Sequence, residues 1–448
     1  MELVQTARIP VSARLDRLPV ASFHRHLMWV LGFVFFFDMA DINTLSFASP
    51  AIMKFWNIPV STIALFSSAS FAGMFAGSLI GGLISDRIGR KKALLLSTMF
   101  YGSFSLLNAF AWNPISLFTV RFLTGIGISA MTVVGIAYIS EIYPARVRGS
   151  FQGWIMTIGL VGVPGTAFVA RAVVPLAPWG WRLVFVWGAI GLLYPFFSGA
   201  LEESPRWYEN HGRLKEADAV VERIEARVRA EAGSLPPVEE QHPIVANQSG
   251  KFSDLFGRAY FPRTALLVFT WVCWTMGFFG FTTWVPTLLV AHGFSLVHSL
   301  TWTSAMSIAT IPGAMLAGLF SDRWDRKWSI MAIALLIAIF GAFYGLTFRV
   351  SFIVIFGFLV EMFTHASTPY MYAYTAEAFP SSIRNSGTGL AYGSGRLANV
   401  FGPIIIAFIY GNYGYKSVFV YIVTAWIIVA LAVGLFGHRS KALVERPA

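Results

Sequence analysis

Charge is what this sequence has least of. Only 12% of its 448 residues are Asp, Glu, Lys or Arg, where soluble domains carry about 25%. Hydrophobic residues make up 56%, including 41 Phe and 15 Trp. So few polar side chains cannot cover a water-soluble surface, so lipid is the expected solvent for most of the chain. Cysteine is nearly absent too. Cys273 stands alone, which excludes an internal disulfide and leaves the redox compartment open. A signal peptide is also missing: the stretch from Met1 to Phe23 is too polar, and no small-residue cleavage site follows the first apolar run. That run is expected to stay in place as a membrane span. Acids are scarcer than bases, 22 against 33, and the resulting excess of positive charge suggests nucleic acid until the position of each charge is considered.

A span needs about 20 apolar residues, and about twelve such windows occur. Six lie within residues 26–201 and six within 263–437, each set read as a six-helix bundle. Residues 1–25 and 438–448 are read as tails, and 202–262 as a polar central loop with helices. In that loop Ser204 is a plausible N-cap with Pro205 in the first turn. "LKEADAVVERIEARVRAEAG" reads as a solvated helix and "SLPPVEEQHP" as a linker. With the N-terminus inside, inner segments hold about 26 Lys and Arg and outer loops about 4, namely Lys54, Arg182, Arg349 and Lys416. That asymmetry puts both termini in the cytoplasm and removes the nucleic-acid reading. The central loop has no His/Cys cluster and no phosphate-cradling glycine loop, so an enzyme or receptor is disfavoured and no metal site is expected.

One charged cluster occurs twice. "GGLISDRIGRKK" carries Gly82, Asp86, Arg87, Gly89 and Arg90, and "AGLFSDRWDRKW" carries Asp322, Arg323 and Arg326. A second pair follows suit: Glu141 and Arg148 in "SEIYPARVRG", and Glu377 and Arg384 in "AEAFPSSIRN". Asp86 to Asp322, Arg90 to Arg326, Glu141 to Glu377 and Arg148 to Arg384 all differ by 236. The chain is therefore a tandem repeat of two six-span halves in one orientation, a transporter architecture.

These motifs carry a family resemblance. The segment from Gly82 to Lys91 is similar to the signature loop of the major facilitator superfamily. Glu141 with Arg148, Glu377 with Arg384, and Glu203-Ser204-Pro205-Arg206 resemble further marks of its sugar-porter and organic-ion branches. The second loop departs from the pattern, with Asp325 where the first has Gly89. "ARLDRLPVASFHR", "FFDMADINTLSF" and "FFGFTTWVPTLL" resemble metabolite:proton symporters, a branch that includes nicotinate and aromatic-acid permeases. Sugar porters usually show a Gln-Gln pair in span seven, absent from "TWVCWTMGFFG"; drug/proton antiporters show a span-five motif of which "GLVGVPGTAF" has fragments. The resemblance implies an all-α integral membrane protein of twelve spans, in a bacterial inner membrane, expected as a monomer among membrane lipids. In such a fold the loop clusters set the balance between outward-open and inward-open states; the network of Asp86, Arg90, Glu141 and Arg148 is expected intact in the first and broken in the second.

Ionisable groups inside a membrane cost at least a few kcal/mol, so each needs a reason. At about 1.5 Å per residue, Asp38 and Asp41 lie about 18 and 22 Å into span one, and Arg121 in span four lies at matching depth. Asp38 and Asp41 share a helix face. The resemblance implies that such an Asp with a span-four Arg couples protons: a near cation favours the charged carboxylate, desolvation the neutral one. A purely structural pair is the alternative. Arg396, near the middle of span eleven, has no acid in its own span and is read as the ligand of a substrate carboxylate; Glu361 in span ten is its alternative, fixed partner. His365, one turn after Glu361, is assigned either transport or a buried hydrogen bond. Arg171 is expected to snorkel to the interface. Tyr370 and Tyr374 of "YMYAY", with Phe35, Phe36, Phe37, Trp271, Trp274 and Trp284, are candidates to stack a flat ring. Gly73, Gly77 and Gly81 in span two, and Gly389 and Gly393 in span eleven, are expected to let helices touch and slide.

The reading that follows is proton-coupled uptake of a small organic anion, an aromatic carboxylate such as nicotinate, by alternating access, with protons the coupling ion and no other cofactor. Sugar or polyol symport and drug/proton antiport are the alternatives. One proton with one monoanion is electroneutral and draws about 1.4 kcal/mol per pH unit; a second proton would add about 2.3 kcal/mol per 100 mV.

Overall fold

The computed structural model describes residues 9–199, 201–238, 251–320, 324–380 and 382–439, and all regular elements among them are helical. Span one is Ser22–Trp56, span two Val60–Ile88, span three Arg90–Ala109 and span four Pro114–Ile142. Span five comes in two pieces, Ala145–Leu160 and Gly162–Val173, and span six runs from Trp181–Gly188 to Tyr194–Ser198. In the second half, span seven is Phe261–Thr282 with Val285–Ala291, and span eight is Leu296–Ser307 with Thr310–Phe320. Spans nine and ten are Arg326–Leu346 and Val350–Glu377. Arg384–Leu431 holds spans eleven and twelve, parted at Gly414, whose φ of 78° no helix tolerates. Among the described residues nine helices are long and apolar enough to cross a membrane by length and composition. The count of twelve is reached because span three opens on three cations, span eight is broken in the middle, and eleven and twelve run together.

Within the first half, spans two and four touch at backbone distance. A Cβ on Gly73 or Gly77 would stand 2.0 or 2.1 Å from the carbonyl oxygens of Phe122 or Ile126. The second glycine pair does not behave alike. Gly389 and Gly393 face open space; it is Gly395 that packs, against Thr275 and Trp271 of span seven. Spacing alone did not say which side of span eleven meets a neighbour.

The repeat extends into the hydrogen bonds. Arg90 pairs with Glu141 at 2.9 Å, and Arg326 with Glu377. Lys91 Nζ donates to the Leu201 carbonyl at 2.5 Å, and Lys327 Nζ to that of Gly437 at 2.7 Å. Arg148 and Arg384 each donate to the carbonyl of the residue five before, at 3.3 Å. Every one of these partners differs by 236. Asp322 and Arg323 lie outside the described residues.

At the end away from the termini the halves meet through hydroxyls: Ser46 donates to the Thr283 carbonyl at 2.6 Å and Ser304 to that of Ala167 at 2.9 Å. Arg171 does not snorkel; its Nε donates across the halves to Thr301 of span eight. At the terminal end the central helix Leu214–Ala232 is not solvated all round. Ala217, Val221, Ile224 and Val228 are buried with Val11, Leu15 and Leu18 of the tail. Arg14 and Arg17 grip Glu225 at 2.8 and 2.7 Å, and Arg25 grips Glu231 at 2.8 Å. Charge hid an apolar stripe at helical spacing. Ser204 does cap its helix, accepting from Trp207 N at 3.1 Å.

Two predictions follow from this packing. Gly77→Val forces a side chain onto the Ile126 backbone and should cost ~1–3 kcal/mol; thermal unfolding should show the loss, with Gly82→Ala, which meets nothing within 4 Å, unchanged. Hydrogen bonds from Ser22, then Arg25, hold the Glu231 carboxyl at about 2, below its ordinary 4.5. A depressed carboxyl stabilises docking above its unfolded value and loses that stabilisation as pH falls. A spin label at position 12 should be immobile at neutral pH and gain mobility as pH drops from 4.5 towards 2.

Candidate functional site

Four ionisable side chains share the middle of the molecule, Asp38, Asp41 and Arg121 buried and Arg396 half-buried. Asp41 of span one and Arg121 of span four, matched by depth in the sequence, lie 3.7 Å apart, Oδ2 to Nη1. Neither has appreciable exposure, 0% and 2%. Their surroundings complete the pair. Ser105 of span three donates to Asp41 Oδ1. Arg121 Nε donates to Ser70 of span two at 3.0 Å, and Nη1 to Thr44 at 3.3 Å. Gly188 of span six is required there, because a Cβ would stand 2.4 Å from Asp41 Oδ1. Asp38, also fully buried, accepts from Thr132 of span four at 3.2 Å. Its other oxygen has no hydrogen-bond partner among the described residues.

Arg396 is held by dipoles. Nη1 donates to Ser129 of span four, in the other half, and Nη2 to Tyr392 one turn back, at 2.5 Å. Its guanidinium lies over the Tyr392 ring at 4.8 Å. Asp38 is within electrostatic reach. The alternative partner, Glu361, is taken elsewhere: its Oε2 sits 3.4 Å from His365 Nδ1, which also faces the Glu361 carbonyl at 3.0 Å. Glu361 and His365 thus form a unit inside span ten, apart from Arg396.

The aromatic candidates scatter. Trp271, Tyr372 and Tyr392 stand edge to face or tilted at 5.0–5.3 Å beside Arg396. Trp274 instead spends its N–H on Ser367 at 2.8 Å. Phe37 packs on Phe33 and Trp187 inside the first half. Tyr370 is buried in the second-half core. Tyr374 lies at the terminal end, its hydroxyl on the backbone of His438. Neither Phe37 nor Tyr374 joins the Arg396 cluster. Tyr372 is the middle tyrosine of the run "YMYAY" that the sequence singles out; sequence reasoning missed Tyr392, whose spacing four before Arg396 was the available signal. Ser129, Ser105 and Gly188 gave none, being common residues in apolar spans.

Between the halves lies a narrow, partly open cleft lined by Ile42, Ser46, Ser70, Phe71, Arg121 and Thr283, among others. Its walls come from spans one, two, four and seven.

The loop clusters sit apart from this layer. Arg90 bonds Asp86 at 2.6 Å and Glu141 at 2.9 Å, and Ser204 donates to Glu141. Arg148 does not join them. It faces the Tyr143 carbonyl and, at 3.9 Å, Asp16 of the tail. The network expected to include Arg148 is two networks, both inside the first half. Arg87 is exposed and Gly82 meets nothing within 4 Å.

Two helical halves, repeated charge contacts and a midplane layer of paired charges define a transporter, and residues 26–439 match the family of sugar (and other) transporters. The chain belongs to that family, within the major facilitator superfamily. It is 45% identical to YyaJ of Bacillus subtilis, whose name marks it as a metabolite transport protein, over 96% of this chain and 95% of the relative. It is 28% identical to the niacin transporter NiaP of Acinetobacter baylyi over 96% and 97%. The E. coli xylose transporter XylE, in a partially occluded inward-open conformation, shares the fold at a TM-score of 0.74 and 17% identity, over 94% of this chain and 99% of that one. The protein is a membrane transporter of small metabolites, not an enzyme.

Gly188→Ala should push the Asp41 carboxylate off Ser105 and slow transport at least ~10-fold, about 1.4 kcal/mol. Gly199→Ala, which meets nothing within 4 Å, should leave uptake unchanged in the same assay.

Proposed function

We propose that this transporter is a proton symporter that takes up a small organic acid, an aromatic carboxylate such as nicotinate. The observation that carries the proposal is Arg396: a half-buried guanidinium that spans the two halves and, among the described residues, hydrogen-bonds to hydroxyls and lies over a ring. A carboxylate is its natural bidentate partner and would take the place of the Ser129 hydroxyl. The rings of Trp271, Tyr372 and Tyr392 offer apolar walls for an aromatic substrate. The niacin transporter among its relatives supports this substrate class.

Proton coupling falls to Asp41 with Arg121, and to Asp38. Arg121 facing Asp41 favours its charged form; any movement that parts them leaves a carboxyl in a dry site, where the neutral form is favoured. Asp38 adds a second acid within reach of Arg396, so a carboxylate arriving at Arg396 competes with it and a proton on Asp38 relieves the competition. On this reading the end that carries the basic loops and both termini faces the cytoplasm, as the Lys/Arg excess requires.

The cleft favours one variant of the reading, in which Arg121, a wall residue, receives the carboxylate. One experiment separates the two. Uptake of labelled nicotinate, benzoate, 4-hydroxybenzoate and a hexose is measured in proteoliposomes under an inward proton gradient. Accumulation of one carboxylate, reduced to equilibration by Asp41→Asn and lost with binding in Arg396→Leu, is the expected result. Retained binding in Arg396→Leu moves the ligand role to Arg121. Entry of the hexose alone, or no response to the gradient, overturns the acid-symport reading.

A further inference from the structure

At the terminal end the halves repeat in backbone contacts but reverse in charge. After span six come Leu201, Glu202 and Glu203. Lys91 Nζ and Tyr138 donate to the carbonyls of Leu201 and Glu202, at 2.5 and 2.6 Å. The Glu203 carboxylate accepts from the backbone N–H of Lys91, at the start of span three, at 2.9 Å. Gly89 makes room for it: its φ is 98°, and a Cβ there would stand 2.4 Å from Glu203 Oε2.

The positions 236 further on are Gly437, His438 and Arg439. One backbone role persists, with Lys327 on the Gly437 carbonyl, and Tyr374 again meets the backbone one residue on, at His438, there facing its N–H. The side chains do not persist: a histidine and an arginine replace two glutamates. The helix-start N–H of Lys327 is served by Asp325 at 2.9 Å. Asp325 occupies the place of Gly89, at an ordinary φ of −63°. The capping acid has therefore moved into the loop, and the side that Glu203 fills in the first half is cationic in the second.

Arg263, Lys327, His438 and Arg439 gather there. Arg263 and His438 line a shallow, partly open pocket whose other walls are Leu266, Leu267, Tyr374 and Ala378. Lys327 and Arg439 flank it over the Trp328 ring, at 5.2 and 6.0 Å. Among the described residues Arg263, Lys327 and Arg439 form no ion pair, while Arg326 beside them has Glu377. Burial, then the Arg263 and Lys327 charges, lower the His438 imidazole from its ordinary value, as a positive field does. Phe261, Trp328 and Phe436 are exposed around the pocket. Cations over an apolar slot, rimmed by aromatic rings at the edge of a span, match the chemistry of a lipid headgroup with its chains.

We infer that the cations around this pocket, between the start of span seven and the ends of spans ten and twelve, bind the phosphate of an anionic phospholipid. The lipid supplies in the second half the negative charge that Glu202 and Glu203 supply in the first. Its acyl chains lie over Phe261 and Phe436.

The test uses the purified full chain in neutral detergent. Melting temperature and lipid adducts in native mass spectrometry are compared with added phosphatidylglycerol, phosphatidylcholine and inorganic phosphate. Phosphatidylglycerol should stabilise the wild type more than phosphatidylcholine does and remain bound. Arg263→Gln with Arg439→Glu should lose that difference and retain at least fivefold less phosphatidylglycerol, while Arg439→Lys keeps both. Should the double variant fail to fold, the exposed Arg439→Glu alone makes the same comparison. Equal effects of the two lipids, or an unchanged preference in the charge-reversed variant, overturn the inference. Equal stabilisation by inorganic phosphate makes it a free-phosphate site and overturns the lipid assignment.

Discussion

Two guanidinium groups that cannot lose their protons sit in the middle of a protein whose solvent is lipid. An uncompensated buried charge costs about 3–5 kcal/mol, so the helices around Arg121 and Arg396 are arranged to answer them. Arg121 needs Asp41, Thr44 and Ser70 at once. Ser70 reaches it only because span two lies against span four at glycine distance, along Gly73 and Gly77. Asp41 is in turn held by Ser105, and the absent side chain of Gly188 lets span six close over it. One charge thereby sets the spacing of five helices.

The two cations are answered differently, and the difference matters for transport. The partners of Arg121 all belong to its own half, so the group moves as one body. Arg396 takes one partner from each half, Tyr392 and Ser129. Both are neutral, so an arriving anion meets a cation whose nearest acid, Asp38, makes no hydrogen bond to it. A ligand that binds one arrangement of the halves better than the other is what shifts their equilibrium. Arg396 is the group in this layer whose satisfaction changes with that arrangement.

Much of this was legible in the sequence, and the gaps have physical causes. The offset of 236 announced the duplication, and it recurs in paired contacts down to single carbonyls. Depth along a helix was enough to match Asp41 with Arg121, because rise per residue is nearly constant. Azimuth was not readable in the same way. Gly389 and Gly393 have the spacing of a contact stripe yet face open space, while Gly395 carries the contact. Arg171 has the depth of a snorkelling residue, but its direction takes it to Thr301. The helix Leu214–Ala232 looked solvated because nearly half of its residues are charged, although Ala217, Val221, Ile224 and Val228 already traced a face for the tail. Ser105, Ser129 and Gly188 stayed invisible, since a hydroxyl or a missing Cβ acquires a role only from what packs against it.

Magnitudes separate what holds each half together from what joins the halves. Inside a half, glycine contacts place backbone on backbone, and parting them strands buried charges such as Asp41 and Arg121 at several kcal/mol. Across the end away from the termini, the links are neutral hydroxyl-to-carbonyl bonds from Ser46 and Ser304, each worth about 0.5–1.5 kcal/mol net. Arg171 adds one charge-assisted bond to Thr301 at an edge where water can replace it. The polar links across the plane between the halves are therefore weaker than those inside either half. Separation of the halves breaks these weaker polar links first, and the layer that it would remodel is the one that contains Arg396.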